Sequence, residues 1–379
     1  MAREPTSDLV QHHMESGEKK VRVAVLWTGL SGYLNACLKV LAATEEVELF
    51  VANMRPLKEG PFDDAIFSWI ENRYQWESVV DTDELIPLLD RFQPDVILCA
   101  NWHSKGYRKT LKHFKGRAVR IFTSDRPWMG TPKQWLGVIT SRFYLHPICE
   151  AIFVAGDRQA IFARKMGFKQ QNILRGLLSC DHEKFSAIYR EREKSLSEPR
   201  TFVYVGRFSS EKGLDVLVQA YGLYRSMSSD PWPLKCYGTG PLSGLLEGVN
   251  GIERQGFCQP DDLPNEFIEA NCLILSSIYD GWAIVVHEAA AAGMGVIVSD
   301  AVGASVHLVQ DSYNGYIVET GDVDELAQAM LRYASLSRNE RKEMGANSYR
   351  MSLQFTPEQW TNTLVSKSKR ILAKLRENS

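Results

Sequence analysis

The feature that most constrains this chain is a regular alternation of short β-branched runs with helical patterns. The first run spans residues 21–27, and it is followed by Gly29, Gly32 and a helical pattern from residue 33 to residue 43. A strand, a glycine loop and a helix in that order are typical of a parallel sheet, because parallel strands need a crossover between them. Further strands of the first half are predicted at 47–52, 95–100, 119–123 and 151–154.

The same alternation returns after a charged stretch that ends near Pro199. A chain of 379 residues is long for one core, so we place a domain boundary at this stretch and expect a cleft between two domains. Both halves therefore predict an α/β, Rossmann-like domain. Strands of the second half are predicted at 201–206, 234–237, 251–257, 272–276, 295–299 and 315–318.

We divide the chain into a flexible tail (1–19), a first domain (20–187), a linker (188–199), a second domain (200–353) and a C-terminal helical segment (354–379). The tail lacks the apolar core of a secretory signal, and no run of about 20 apolar residues is long enough for a membrane span. The seven cysteines are scattered and include no C-x-x-C pair, which disfavours a disulfide framework and a zinc site. We therefore expect a cytoplasmic protein, with any contact at the inner face of the membrane being peripheral.

Two cations stand at the entrance of a predicted helix in residues 204–218. The segment begins as a strand, turns through Gly206 and places Arg207 and Lys212 near the start of the helix. Helix N-termini and fixed cations both bind anionic oxygens, so this arrangement predicts a diphosphate site. The alternative is that both cations are solvated surface charges.

Two acids lie eight positions apart in residues 276–293, where strand, loop and helix again follow one another. Asp280 falls in the loop, and Glu288 falls about one and a half turns into the helix. We expect Asp280 to reach a sugar hydroxyl and Glu288 a ribose hydroxyl, because a buried carboxylate needs such donors. The alternative makes Asp280 a helix cap and Glu288 a surface residue.

These two segments resemble family 4 of the retaining, GT-B-fold glycosyltransferases, the glycosyl transferases group 1. In that family an acid-x7-acid motif and a Gly-Arg…Glu-Lys-Gly motif bind a sugar nucleotide, although here the first acid is Asp280 rather than Glu. The resemblance covers residues 20–375 and is stronger in the second half. It implies two Rossmann-like domains that face a central cleft, with the C-terminal helix packing back on the first domain.

The donor site is predicted from these motifs and from their neighbours. Residues 237–241 resemble the family's nucleotide-side glycine loop, and Phe257 belongs to a segment that resembles its base-contact strand. The loop from Gly29 to Gly32 is expected to let backbone approach the donor closely. The predicted donor-binding residues are Gly29, Gly32, Gly206, Arg207, Lys212, Gly238, Phe257, Asp280, Gly281, Trp282, Ala283, Ile284 and Glu288.

The acceptor side departs from the family pattern. The family presents a histidine after a short strand, in a pattern like Phe-Thr-x-His, whereas this chain has Asp125 at the matching position. An ionised aspartate can hold a hydroxyl or accept its proton. His103 is the alternative, since residues 101–103 resemble a segment of the related glycogen synthases. The predicted catalytic residues are Asp125, Asp280, Arg207, Lys212 and His103.

Three further patterns bear on whether the protein binds a metal or a membrane. Asp-x-Asp stretches at 81–83 and 322–324 precede apolar-periodic helices, so we interpret them as helix caps and expect no metal. Seven cations and no acid occupy residues 105–120, from Lys105 to Arg120. This cluster is either a solvated helix face or a contact with anionic membrane or with a phosphate-bearing acceptor. No nucleic-acid-binding motif accompanies it, and the net charge of −2 provides no global field to attract nucleic acid.

The sequence as a whole predicts a retaining, metal-independent transfer of a hexose-type sugar from a nucleotide-diphosphate donor of the UDP or GDP type. The expected acceptor is a glycan, a lipid-linked molecule or a small molecule, and the expected role is polysaccharide or glycolipid biosynthesis. No cofactor is expected, because the donor is a co-substrate. The alternatives are a nucleotide-sugar epimerase and a non-catalytic nucleotide-sugar-binding subunit. An NAD-dependent dehydrogenase is disfavoured because residues 28–32 are not G-x-G-x-x-G.

Overall fold

The structure is a computed structural model that describes residues 20–54, 63–76, 82–100, 104–195 and 197–377. These residues form two parallel sheets, each flanked by helices, and a long final helix. The predicted tail (1–19) and His103 lie outside the described residues. Within the described ranges, no helix combines the length and the apolar character needed to cross a membrane.

The first sheet has seven strands with helices in the connections. Its strands are β1 (Val21–Trp27), β2 (Val47–Met54), β3 (Arg73–Trp76), β4 (Val96–Cys99), β5 (Val119–Ser124), β6 (Ala151–Val154) and β7 (Ile173–Arg175). The helices are α1 (Gly32–Ala43), α2 (Thr82–Phe92), α3 (Lys105–His113), α4 (Pro132–Tyr144), α5 (Asp157–Lys165) and α6 (His182–Lys194). The strand order is β3-β2-β1-β4-β5-β6-β7, and all pairs are parallel.

Strand β1 shows why these residues form a central strand. Val23 and Val25 enter the core on one face of the sheet, whereas Ala24 and Leu26 enter the core on the other. A strand buried on both faces reads as a continuous apolar run rather than as an alternation. This local signal is what made the strand predictable.

The second sheet repeats the topology of the first. Its strands are β8 (Phe202–Val205), β9 (Leu234–Tyr237), β10 (Ile252–Gln255), β11 (Cys272–Leu275), β12 (Gly295–Ser299) and β13 (Gly315–Val318). The helices are α7 (Leu214–Met227), α8 (Leu263–Ile268), α9 (Ile284–Ala291), α10 (Ser305–Leu308), α11 (Val323–Ser335) and α12 (Arg338–Ser352). The order β10-β9-β8-β11-β12-β13 reverses direction between β8 and β11, as the order of the first sheet does between β1 and β4.

The final helix, α13 (Pro357–Glu377), returns to the first domain. The buried Trp360 donates its indole N–H to the Leu177 carbonyl oxygen at 2.9 Å. Further along the helix, Arg376 bonds to Asp95 at 3.1 Å. These contacts hold the end of the chain against the first domain, so the predicted α/β fold with a returning C-terminal helix is confirmed.

Two strands and part of one helix differ from the sequence prediction. Strands β3 and β7 were not predicted, because each is a short edge strand that lacks a buried apolar run on both faces. Helix α6 continues to Lys194, so most of the stretch 188–199 that was predicted to be a linker is helical.

At the start of α11, Asp322 accepts a hydrogen bond from the Glu325 backbone N–H at 2.8 Å, as the capping interpretation of that Asp-x-Asp stretch predicts.

Candidate active site

A cavity of about 640 Å³ lies between the two domains, at the carboxyl ends of the central strands. The loops after β8 and β11 and the start of α9 form one wall, and Tyr33 and Asp125 belong to the opposite wall. Open parallel sheets bind ligands at this position, where the strand order reverses. The predicted site residues that line the cavity are Gly32, Asp125, Gly206, Arg207, Lys212, Phe257, Asp280, Trp282, Ala283, Ile284 and Glu288.

Lys212 and Asp280, 68 positions apart, meet in this cavity. Lys212 ends a short 3-10 turn before α7, and its Nζ donates to the Asp280 Oδ2 at 2.5 Å. The other carboxylate oxygen of Asp280 accepts from the Trp282 backbone N–H at 3.2 Å, which shapes the turn into α9. Because an ammonium group has three N–H donors, Lys212 can keep Asp280 and still bind a phosphate oxygen.

Arg207 lies at the rim of the cavity, with its side chain 54% exposed. Its guanidinium approaches the Glu211 carboxylate at 3.7 Å, and its backbone oxygen accepts from the buried Tyr204 hydroxyl at 2.9 Å. The tyrosine anchors the backbone while the guanidinium remains accessible to an incoming anion. An exposed ion pair of this length is weak, typically below about 1 kcal/mol, so a diphosphate can compete for the arginine.

Glu288 is the fifth residue of α9 and faces the cavity among apolar neighbours. Burial raises the pKa of its carboxyl to about 8, with a further contribution from Asp181 and an opposing one from Lys184. No described side chain donates a hydrogen bond to this half-buried carboxyl group. Its position disfavours the alternative of a surface residue, and hydroxyl groups of a ligand would supply the missing donors.

The first turn of α9 offers backbone donors to the same cavity. Ala283, Ile284 and Val285 line it, and no side chain caps the helix. Ala283 has a left-handed backbone with a φ of 67°, a conformation that costs a non-glycine residue roughly 1–2 kcal/mol. Strain of this kind concentrates at functional sites, and an uncapped helix N-terminus attracts anions.

Asp125 follows β5 and reaches the cavity from the first domain. A Cβ atom at Gly281 would lie 2.8 Å from the Asp125 backbone oxygen, so the glycine permits the two domains to touch here. The side-chain amide of Gln159 donates to both the Asp125 oxygen (3.0 Å) and the Gly281 oxygen (2.5 Å). The structure therefore brings the predicted acceptor residue beside the predicted donor loop.

Gln159 is a site residue that the sequence analysis missed. It is buried in the first turn of α5, and its side-chain oxygen accepts from the Gly156 backbone N–H at 3.1 Å. The one local signal was its place as the third residue of a helix, where a glutamine commonly supports the cap. Nothing in the sequence indicated that the same amide bridges the two domains.

The remaining predicted glycines have structural reasons of their own. A Cβ atom at Gly238 would lie 2.0 Å from the Gly206 backbone oxygen, so Gly238 allows two loops to pack rather than lining the cavity. A Cβ atom at Gly32 would lie 2.7 Å from the Pro260 side chain, which again reflects a close approach between domains. Gly29 lies in the loop between β1 and α1 and does not line the cavity.

The basic cluster of residues 105–120 is not one continuous positive surface, and the prediction that Arg120 contributes to a membrane contact is wrong. Arg120 is 1% exposed, pairs with Glu150 at 2.5 Å and donates to two backbone oxygens. Arg117 pairs with Asp90 at 2.7 Å, which neutralises a second cation. The sequence count of charges could not show this, because the acids come from other segments.

Two parallel α/β domains that face each other across such a cavity constitute the GT-B fold, and this chain has that fold. Residues 186–351 match the family described as glycosyl transferases group 1. This match lies mainly in the second domain, where the sequence motifs predicted the resemblance. Within the described residues, no group of His, Cys, Asp and Glu side chains is arranged to hold a metal ion.

Solved structures support the fold over nearly the whole chain. A glycosyltransferase from Rickettsia africae superposes with a TM-score of 0.69 at 14% identity, covering 95% of this chain and 100% of that one. The protein HepE from Anabaena, solved in complex with UDP and glucose, superposes with a TM-score of 0.62 at 15% identity, covering 93% and 99%. At such identities the likeness establishes the fold, and it confirms the GT-B prediction.

Sequence relatives match over shorter stretches. The lipopolysaccharide 1,6-galactosyltransferase of Escherichia coli is 23% identical over 259 residues, which is 65% of this chain and 67% of the relative. An exopolysaccharide phosphotransferase from Streptomyces coelicolor is 28% identical over 182 residues, 45% of this chain and 19% of that protein. With that protein and two uncharacterized glycosyltransferases of Methanocaldococcus jannaschii, the match spans only 19% to 44% of the relative's length.

Proposed function

We propose that this chain transfers a sugar from a nucleotide-diphosphate donor to an acceptor hydroxyl. The observation that carries the proposal is the convergence of Arg207, Lys212 and the first turn of α9 on one wall of the cavity, with Asp125 on the other wall. Cations and a helix N-terminus suit a diphosphate, and a carboxylate from the opposite domain suits a hydroxyl acceptor.

The same convergence suggests how the donor is oriented. The diphosphate would lie between Arg207, Lys212 and the start of α9, and the ribose would supply the hydroxyl donors that Glu288 lacks. The transferred sugar would then extend toward Asp280 and Asp125, which lie at the junction of the domains.

We propose that catalysis acts mainly on the leaving group. As the glycosidic bond breaks, negative charge grows on the diphosphate, and Arg207, Lys212 and the backbone N–H groups of α9 stabilise it. The resemblance to retaining enzymes suggests that the leaving phosphate helps to take the acceptor proton on the same face of the sugar. Two cations and a helix N-terminus can balance the diphosphate, so we propose a reaction without a divalent metal.

The comparisons support finer expectations about substrates. HepE was solved with UDP and glucose, and the Escherichia coli relative is a lipopolysaccharide galactosyltransferase. We extend both to this chain as a proposal: a UDP-hexose donor, with a GDP-sugar as the alternative, and a role in the synthesis of cell-surface glycans on the cytoplasmic side of the membrane.

Calorimetric titration with UDP-glucose, UDP-galactose and GDP-mannose tests the proposal. Wild type should bind at least one of them, and Arg207→Ala should bind it about tenfold or more weakly, because a charge-assisted contact is lost. Arg200→Ala is the matched control, since Arg200 is an exposed, ion-paired arginine of the same domain outside the cavity. Wild type that binds none of the three donors, or an Arg207→Ala variant with the affinity of wild type, would contradict the proposal.

A further inference from the structure

A second cavity, of about 860 Å³, lies almost wholly within the first domain. It shares Tyr33 and Asp125 with the donor cavity, so the two spaces meet at the predicted acceptor residue. Its lining includes the apolar side chains of Phe122, Phe162 and Met166. Helix α4 forms one side of it.

Helix α4 contributes almost nothing to the core of the protein. Of its 13 residues only Ser141 is buried. Leu136, Ile139 and Phe143 recur at helical spacing and are 61%, 66% and 77% exposed. The other exposed large apolar residues of this segment are Met129, Trp135 and Tyr144. Contiguous exposed apolar surface of this kind marks an interaction site.

The charged residues within the segment that carries this apolar surface are all cationic. Residues 126–149 contain no Asp or Glu, and their cations Arg126, Lys133 and Arg142 are all exposed. The Lys165 ammonium lies over the Trp135 ring at 5.4 Å, which adds a cation beside the aromatic surface. Apolar residues, aromatic rings and cations on one helix are characteristic of helices that lie in the interface of an anionic bilayer.

A second copy of this chain is a poorer occupant of the same surface. A symmetric dimer would place like cations of the two copies against one another, and like-charge contacts oppose association. Anionic lipid headgroups would instead complement Arg126, Lys133 and Arg142.

We propose that residues 126–144, the α4 surface, dock this protein on an anionic lipid bilayer and place the mouth of the second cavity at the membrane. The acceptor is then an amphiphile drawn from that bilayer, with its hydroxyl-bearing head at Asp125 and its apolar part in the cavity beneath α4. This last step rests on the proposed transferase function, whereas the docking does not. The docking surface replaces the basic cluster at 105–120 as the membrane contact.

Vesicle flotation tests the docking. Vesicles of phosphatidylcholine with phosphatidylglycerol, and of phosphatidylcholine alone, are mixed with wild type and with the triple variant Leu136→Ser, Ile139→Ser, Phe143→Ser. Wild type should float with the anionic vesicles and much less with the neutral ones, and the triple variant should bind about tenfold or more weakly. The matched control is Leu245→Ser, Ile268→Ser, Leu353→Ser, which removes exposed apolar residues of the second domain and should float like wild type.

Each contrary outcome has a distinct meaning. Wild type that floats with neither vesicle, or a triple variant that floats like wild type, overturns the docking surface. A dimer that the triple variant abolishes in sedimentation equilibrium assigns the surface to a second copy and also overturns it. Donor titration separates the two proposals. The triple variant should bind the donor with the affinity of wild type. A wild-type protein that binds no donor would refute the proposed transferase function and would leave the docking surface intact.

Discussion

Replacing Glu288 with glutamine should make the second domain less sensitive to alkaline pH. The pKa of the folded carboxyl is about 8, against an ordinary value of 4.5, and burial is the main cause. Between these values the folded protein holds a proton that the unfolded chain has released, so the free energy of unfolding falls as pH rises. Within this window, one such group lowers the free energy of unfolding by at most about 1.4 kcal/mol per pH unit.

Between about pH 6 and about pH 8, the free energy of unfolding of the wild type should therefore fall by roughly 2–3 kcal/mol relative to that of Glu288→Gln. Above the folded pKa, the difference between the two proteins should stay nearly constant. Urea unfolding followed by circular dichroism across this range measures the difference. Glu191→Gln is the control, because it removes the same type of side chain from an exposed position of α6. A constant difference between Glu288→Gln and wild type across the range would refute the buried placement of this carboxyl.

Two further predictions concern the contacts between the domains. Gly281→Val should slow sugar transfer by about 10- to 100-fold, because its side chain would collide with the Asp125 backbone and displace the reacting groups. Gly244→Val, whose side chain would enter open space, is the control, and equal rates in both variants would contradict the contact. Trp360→Ala should lower the free energy of unfolding by about 3–5 kcal/mol, since it removes a buried indole that holds α13 on the first domain. A loss of less than about 1 kcal/mol in urea unfolding would show that this anchor is unimportant.

Much of the fold could be predicted because several of its strands carry a local signal. Residues 21–27, 151–154, 234–237, 295–299 and 315–318 form the predicted strands with the predicted bounds. Most residues of each strand are apolar and buried, so the local sequence indicates the strand. The edge strands β3 and β7 lack that signal, since β3 has a single buried residue and β7 is only three residues long.

The candidate site also combines residues that the sequence indicated with contacts that it did not. The segments around Arg207 and Glu288 could be recognised because their loops and helix starts are contiguous in sequence. The predicted roles of these residues remain predictions that the proposed titrations address. Two contacts of the site join residues from distant segments: the one between Lys212 and Asp280 and the bridge made by Gln159. No local sequence pattern could therefore indicate them.

The sequence by itself determined the alternation of strands and helices, the two-domain α/β class and the two motifs of the donor side, because each depends on residues within one segment. Only the tertiary structure decided that Asp125 faces Gly281, that Arg120 is buried against Glu150 and that α4 remains exposed. The amino-acid sequence gives the identity of a charged or apolar residue, but it does not show whether the side chain is buried, paired or solvated. Its environment is set by segments far along the chain, and these meet only when the two sheets are packed.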